Sequence, residues 1–139
     1  MHPVAGYSGT PLAKKLGIVE GSRVAILSAP DGFCEGLDVP DGVHVRTAAR
    51  GRLDVVVFFV TRRGELTRRF PTMKRALEYD GGLWIAWPKR TSGVATDLSE
   101  NPVREIGLAN GLVDNKVAAI DDTWSGLRFV YRRVDRPAR

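Results

Sequence analysis

The six residues Pro88-Lys89-Arg90-Thr91-Ser92-Gly93 bring two cations, two hydroxyls and a glycine together directly after an apolar run. An anion site needs that set: charge, orientable donors and a backbone able to turn toward the ligand. The plainer reading is a solvated loop, with Asp97 either orienting Lys89 or capping the following helix. A second cluster, Asp121-Asp122-Thr123-Trp124-Ser125-Gly126, offers carboxylates and an indole to a ligand's ring or ribose. Its competing reading is turn chemistry, with Trp124 folded back on the core. Adjacent aspartates alternate in direction along a strand, and hard cations gather more oxygens than this, so no metal is expected there.

A third set, Arg62, Arg63, Arg68, Arg69, Lys74 and Arg75, repeats arginine at a spacing of seven, which puts each pair on one helical face. Glu65 and Glu78 interrupt the positive field, and neither an RNA-binding aromatic motif nor zinc spacing accompanies it. A solvated helix face is the favoured reading and nucleic acid the disfavoured partner. Thr61 and Arg62 also stand where a helix N-terminus would present free N–H groups to an anion.

Other chemistries are excluded more directly. His2 and His44 are the only histidines and Cys34 the only cysteine, so tetrahedral metal spacing is absent. A Ser-His-Asp triad would have to recruit His44, and no G-x-S-x-G elbow is present. The N-terminal Gly6-Tyr7-Ser8-Gly9-Thr10 serves either as a helix cap or as a lid over a ligand. No pattern identifies a cofactor.

The net charge of +5 comes from 21 basic and 16 acidic residues, and the tilt is carried mainly by arginine. Guanidinium forks suit phosphate oxygens, yet 27% charged residues is an ordinary surface content. One cysteine excludes an intrachain disulfide, and Met1-His2-Pro3-Val4 lacks the charged start and apolar stretch of a signal peptide. The longest apolar run, Val55-Val56-Val57-Phe58-Phe59-Val60, is far below the roughly 20 residues of a membrane span. A cytoplasmic location without membrane contact is expected.

The elements that must position these clusters alternate. Thr10 caps a first helix that starts at Pro11 and closes at Gly17. Strands are expected over residues 23–28 and 43–48, with a short Gly-interrupted segment at 33–37 and the turn Pro40-Asp41-Gly42 between them. Residues 53–60 are apolar except for Asp54, as in a strand buried on both faces of a parallel sheet. Leu66, Phe70, Met73 and Leu77 form one stripe of an amphipathic helix that Pro71 kinks or splits. Asp80-Gly81-Gly82 ends that segment before a strand over 83–87. A loop over 89–100, a helix over 101–110, a strand over 115–120 and an alternating strand over 127–133 follow. Two readings stay open for the last strand: edge pairing into a homodimer, or arginines that guard the edge.

This order implies an α/β fold in a single domain, a mostly parallel doubly wound sheet flanked by helices and ending in an antiparallel C-terminal hairpin. Residues 1–139 form that domain, with an N-terminal helical segment over 1–22 and a frayed tail over 135–139. Ligands bind such sheets beyond the carboxyl ends of the strands, where strand order reverses. The loops 29–33, 61–64, 89–97 and 121–126 meet on that rim. The first of them, Ser28-Ala29-Pro30-Asp31-Gly32-Phe33, stands where a nucleotide-binding unit carries G-x-G-x-x-G.

Several segments resemble a bacterial family of small proteins, domain-of-unknown-function family 3052. They are residues 6–17, Leu53-Asp54-Val55-Val56, Val60-Thr61-Arg62, Trp87-Pro88-Lys89, Ser92 to Leu98, and Trp124-Ser125-Gly126-Leu127. The resemblance covers nearly the whole chain and implies no catalytic residues. Residues 53–133 are also similar to the second half of class I methyltransferases, which implies a Rossmann-like outline. The chain departs from that pattern at Ala29-Pro30-Asp31-Gly32 and in the short interval between Val43 and Leu53, which leaves little room for a complete strand, helix and strand. Pro30 lacks an N–H donor, so the loop does not approach a cofactor as glycine backbone does.

The leading expectation is a module that binds a small anionic or nucleotide-like ligand or a protein partner, without a catalytic site. Its ligand-binding residues are Asp31, Arg62, Lys89, Ser92, Asp97 and Trp124. The alternative is an enzyme using S-adenosylmethionine or a nucleotide, with Asp31 or Asp97 as base. The third reading is a nucleic-acid-binding protein.

Overall fold

The computed structural model describes residues 11–137, so the expected Thr10 cap and the lid over residues 6–10 lie outside the described residues. The chain runs α1 (Leu12–Lys15), β1 (Arg23–Leu27), α2 (Phe33–Gly36), β2 (His44–Arg46), β3 (Leu53–Phe59), α3 (Arg63–Ala76) and β4 (Leu77–Pro88). It ends with α4 (Glu100–Ala109), β5 (Leu112–Ala119) and β6 (Trp124–Tyr131). The six strands form one sheet in the order β2-β1-β3-β4-β6-β5. The first four are parallel, and β6 runs antiparallel between β4 and β5. This is the mostly parallel α/β fold with a terminal hairpin that the alternation of periods implies.

Side-chain alternation divides the core into two layers. Ala25, Leu27, Val56, Phe58, Leu83 and Ile85 face α3 and α4, whereas Val24, Ile26, Val57, Phe59, Trp84 and Ala86 face α1 and α2. β3 is apolar throughout because it lies inside the sheet with both faces covered. α3 lays Leu66, Phe70 and Met73 on the first layer, the stripe set by steps of four and three. On the second layer the buried indole of Trp84 donates from Nε1 to the Leu16 carbonyl at 3.0 Å, tying the central strand to the end of α1.

Three expectations change. Pro71 does not start a second helix: α3 runs unbroken over 14 residues. Its ring faces solvent, where only one backbone donor is missing from the helix ladder. Asp80-Gly81-Gly82 does not end an element: β4 starts at Leu77 and takes up the extra residues as a bulge between the Leu53↔Leu77 and Val55↔Gly82 pairings. The bulge sets Glu78 beside Arg23 and Arg52, and the Arg23 guanidinium also reaches Asp54. The third change is at the last strand, which is paired on both sides and lies one in from the edge; β5 is the edge strand. Arg128, the one arginine on β6, therefore does not guard an edge, and β6 offers no free edge to a second copy. As the short interval before Leu53 implies, the connection from β2 to β3 holds neither strand nor helix, only residues 47–52, and β2 itself is confined to three residues.

Among the described residues no helix is long and apolar enough to cross a membrane.

Candidate functional site

Strand order reverses between β1 and β3: β2 lies outside β1 on one side, β3 and β4 on the other. The carboxyl ends of these two strands are thus the place where a doubly wound sheet opens a crevice. Beyond β1 the chain turns through two left-handed residues, Ser28 at φ 56° and Gly32 at φ 81°. Serine pays a steric cost in that region, and such strain gathers at turns that present backbone to a ligand. Asp31 lies exposed between them, with no side-chain partner among the described residues. Beyond β3 stand Thr61, half-buried, and Arg62, exposed and likewise without a side-chain partner among the described residues.

The crevice between these two ends is walled by aromatic rings. Phe33 meets Phe59 edge to face at 4.8 Å, and Trp124 meets the same Phe59 ring at 5.1 Å. The three rings join α2, the end of β3 and the start of β6. Trp124 is therefore folded back on the core, and its neighbour Asp121 closes the hairpin by accepting the N–H groups of Thr123 and Trp124 at 2.8 and 2.9 Å. Sequence reasoning missed Phe33 as a wall residue. Its signal was an aromatic in a Gly-flanked segment too short to bury a helix face of its own.

The end of α3 is already capped by an anion from within the chain. The Asp97 carboxylate accepts the Arg63 N–H at 2.7 Å, while the Thr61 carbonyl accepts the Thr96 hydroxyl at 2.6 Å and the Asp97 N–H at 3.3 Å. Asp97 thus takes the place at the α3 N-terminus where an anionic ligand was expected, and does not orient Lys89. Ser92 also turns inward: its hydroxyl donates to the Lys89 carbonyl at 2.7 Å and accepts the Val94 N–H at 3.2 Å. Lys89 is held by its backbone, whose N–H donates to the Thr123 carbonyl at 2.7 Å, leaving the ammonium without a partner among the described residues.

Of the six candidate residues, then, Ser92, Asp97 and Trp124 spend their polar or aromatic groups on the chain, whereas Asp31, Arg62 and Lys89 keep theirs for solvent or ligand. Beyond β4, residues 87–99 enclose a groove of about 560 Å³ with Trp87, Leu98 and Val94 as apolar wall and Arg90 as its cation. The loop expected over residues 89–100 is shortened by a 3-10 turn at Arg90–Ser92.

Burial, with the Glu35 charge second, pushes the Cys34 thiol up and so suppresses its thiolate. Among the described residues no group of three or more His, Cys, Asp or Glu side chains converges as a metal site.

No family model matches the chain and no curated protein matches it by sequence, so the resemblance to family 3052 rests on the quoted segments alone. Solved structures match it in fold. The fibrillarin pre-rRNA processing protein of Methanococcus jannaschii aligns with a TM-score of 0.61 at 15% identity, over 91% of this chain and 70% of its own. A SAM-dependent methyltransferase from Aquifex aeolicus aligns at 0.59 and 16% identity, over 85% of this chain and 86% of its own. Fibrillarin of Aeropyrum pernix, solved with natively bound S-adenosyl-L-methionine, aligns at 0.57 and 16% identity, over 86% of this chain and 73% of its own. The outline is thus the Rossmann-like fold of class I methyltransferases.

Proposed function

We propose that this chain binds S-adenosylmethionine, or a close adenosyl analogue, on the carboxyl rim and uses it as an enzyme. The observation that carries the reading is the switch point between β1 and β3, with an unspent carboxylate, Asp31, on one lip and an unspent guanidinium, Arg62, on the other. A carboxylate suits ribose hydroxyls and a guanidinium suits the ligand's own carboxylate. The neighbours' fold, one of them described with the methionine derivative bound, supports this choice of ligand over other nucleotides. S-Adenosylmethionine supplies an electrophilic methyl group when bound.

The usual pose inside the crevice does not fit. Pro30 has no N–H to give, and the rings of Phe33, Phe59 and Trp124 fill the space beneath. The adenosyl group therefore lies outside that aromatic wall, against residues 28–32 and 61–62.

Titration calorimetry with S-adenosylmethionine and its demethylated product tests the proposal. Saturable binding that weakens about tenfold in Asp31→Asn and in Arg62→Ala supports it, the loss of one charge-assisted hydrogen bond each. Absence of binding by both compounds, or binding indifferent to both substitutions, overturns it. The aromatic wall favours a second reading, a module without catalysis that binds another small ligand or a protein partner. That reading gains if neither adenosyl compound binds while the folded protein stays monodisperse.

A further inference from the structure

We propose that a second groove, between residues 47–50 and the middle of α3, binds a small phosphate ester of nucleoside monophosphate size. The groove exists because residues 47–52 replace a full crossover, so no helix follows β2 to cover this face and Ala49 packs there against the core. It encloses about 340 Å³, within the size of small-ligand sites, about 300–1,000 Å³. Leu27 and Met73 make an apolar floor, and Arg50, Arg68 and Arg69 stand around it with the hydroxyls of Thr47 and Thr72.

Several arginines outside the groove are neutralised by carboxylates. Arg23, Arg52, Arg63 and Arg104 each reach a carboxylate at 3.4 Å or less. Among the described residues no carboxylate lines the groove. The Arg50 side chain meets no partner among them, and Arg68 reaches only the Gly64 carbonyl of its own helix at 3.5 Å. Arg69 lies over the Phe58 ring at 4.7 Å with a long 3.5 Å contact to Glu65, which holds it in place without neutralising it closely. The Arg46 guanidinium donates to the Arg50 carbonyl at 3.2 Å and pins the wall of the groove. Three guanidiniums with two hydroxyls match the oxygens of a phosphate monoester.

The sequence after β2 points the same way. Here the segment reads Arg46-Thr47-Ala48-Ala49-Arg50, with no acid between His44 and Arg52. None of these residues belongs to the adenosyl site proposed above, so the two proposals stand or fall separately.

The test is titration calorimetry of the full chain with adenosine 5′-monophosphate, adenosine, inorganic phosphate and a twelve-nucleotide RNA. The expected result is one saturable site for the monophosphate, with adenosine failing to compete and inorganic phosphate competing weakly. In Arg50→Ala/Arg68→Ala the affinity falls at least about tenfold while the melting temperature stays within about 2 °C, because both side chains are exposed. Arg50→Lys/Arg68→Lys recovers part of the loss. Competition by adenosine equal to that of the monophosphate overturns the proposal, as does undiminished binding in the double alanine variant. RNA bound through these arginines without monophosphate binding also overturns it, in favour of a nucleic-acid backbone.

Discussion

The Asp97 carboxylate caps the helix that begins 34 residues earlier, at a distance of 2.7 Å from the Arg63 backbone nitrogen. One contact thereby locks the loop after β4 to the end of β3 and forms part of the rim on which the proposed ligand rests. Removing it as Asp97→Ala is expected to cost about 1 kcal/mol, the value of an N-terminal cap, with Asp97→Asn losing less. For a chain of this length the midpoint falls by about 3–5 °C, read by thermal denaturation. An unchanged midpoint in the alanine variant contradicts the capping role.

Gly107 is the closest approach of α4 to the sheet, and a Cβ there would enter the Phe129 ring. Alanine has the higher helix propensity by about 1 kcal/mol, yet overpacking a rigid helix–strand contact costs about 1–3 kcal/mol. Gly107→Ala is therefore expected to lower the urea midpoint. A stabilised variant would show that the contact yields.

Trp84→Phe keeps most of the apolar volume and removes one hydrogen bond, that to the buried Leu16 carbonyl. The orphaned acceptor costs about 1–3 kcal/mol in urea unfolding. A loss below 0.5 kcal/mol, about the scatter of surface substitutions, would mean that the carbonyl finds another donor.

Acid sensitivity follows from the Arg23–Asp54–Glu78–Arg52 network. Burial raises the Asp54 carboxyl, but the hydrogen bonds and charge of Arg23 outweigh it and leave the group below its usual range. Hydrogen bonds from Arg52 and then Arg23 lower Glu78. Groups depressed in the folded state contribute stability above their unfolded values, about pH 3.9 and 4.3, and lose it as pH falls through the folded values. Asp54→Asn should therefore be less stable than the natural chain at pH 7, with the gap closing below about pH 4. A gap that stays constant from pH 7 to pH 2.5 removes this network from the acid limb.

Much of the fold was legible because it rests on periodicity. The apolar run of β3, the four-three-four stripe of α3 and the alternation of β6 each reflect burial on two faces, on one stripe and on alternate residues. The site was legible only in part. Asp31 and Arg62 were identifiable as polar residues at strand ends, but Asp97 and Ser92 carry the same chemistry and spend it on Arg63, Val94 and Lys89. Side-chain type shows what a residue can bind and leaves open whether the chain has already bound it.

Local chemistry by itself determined the order of strands and helices and the absence of a glycine phosphate loop, since each depends on neighbours within a few positions. The tertiary structure alone decided that β6 lies inside the sheet, that Pro71 stays within an unbroken helix and that Phe33, Phe59 and Trp124 share one wall. It alone decided as well that Arg50 and Arg68 face one groove without a carboxylate. Among them Arg50 and Arg68 stand 18 positions apart and Phe33 and Trp124 stand 91, and packing rather than propensity selects which distant groups meet.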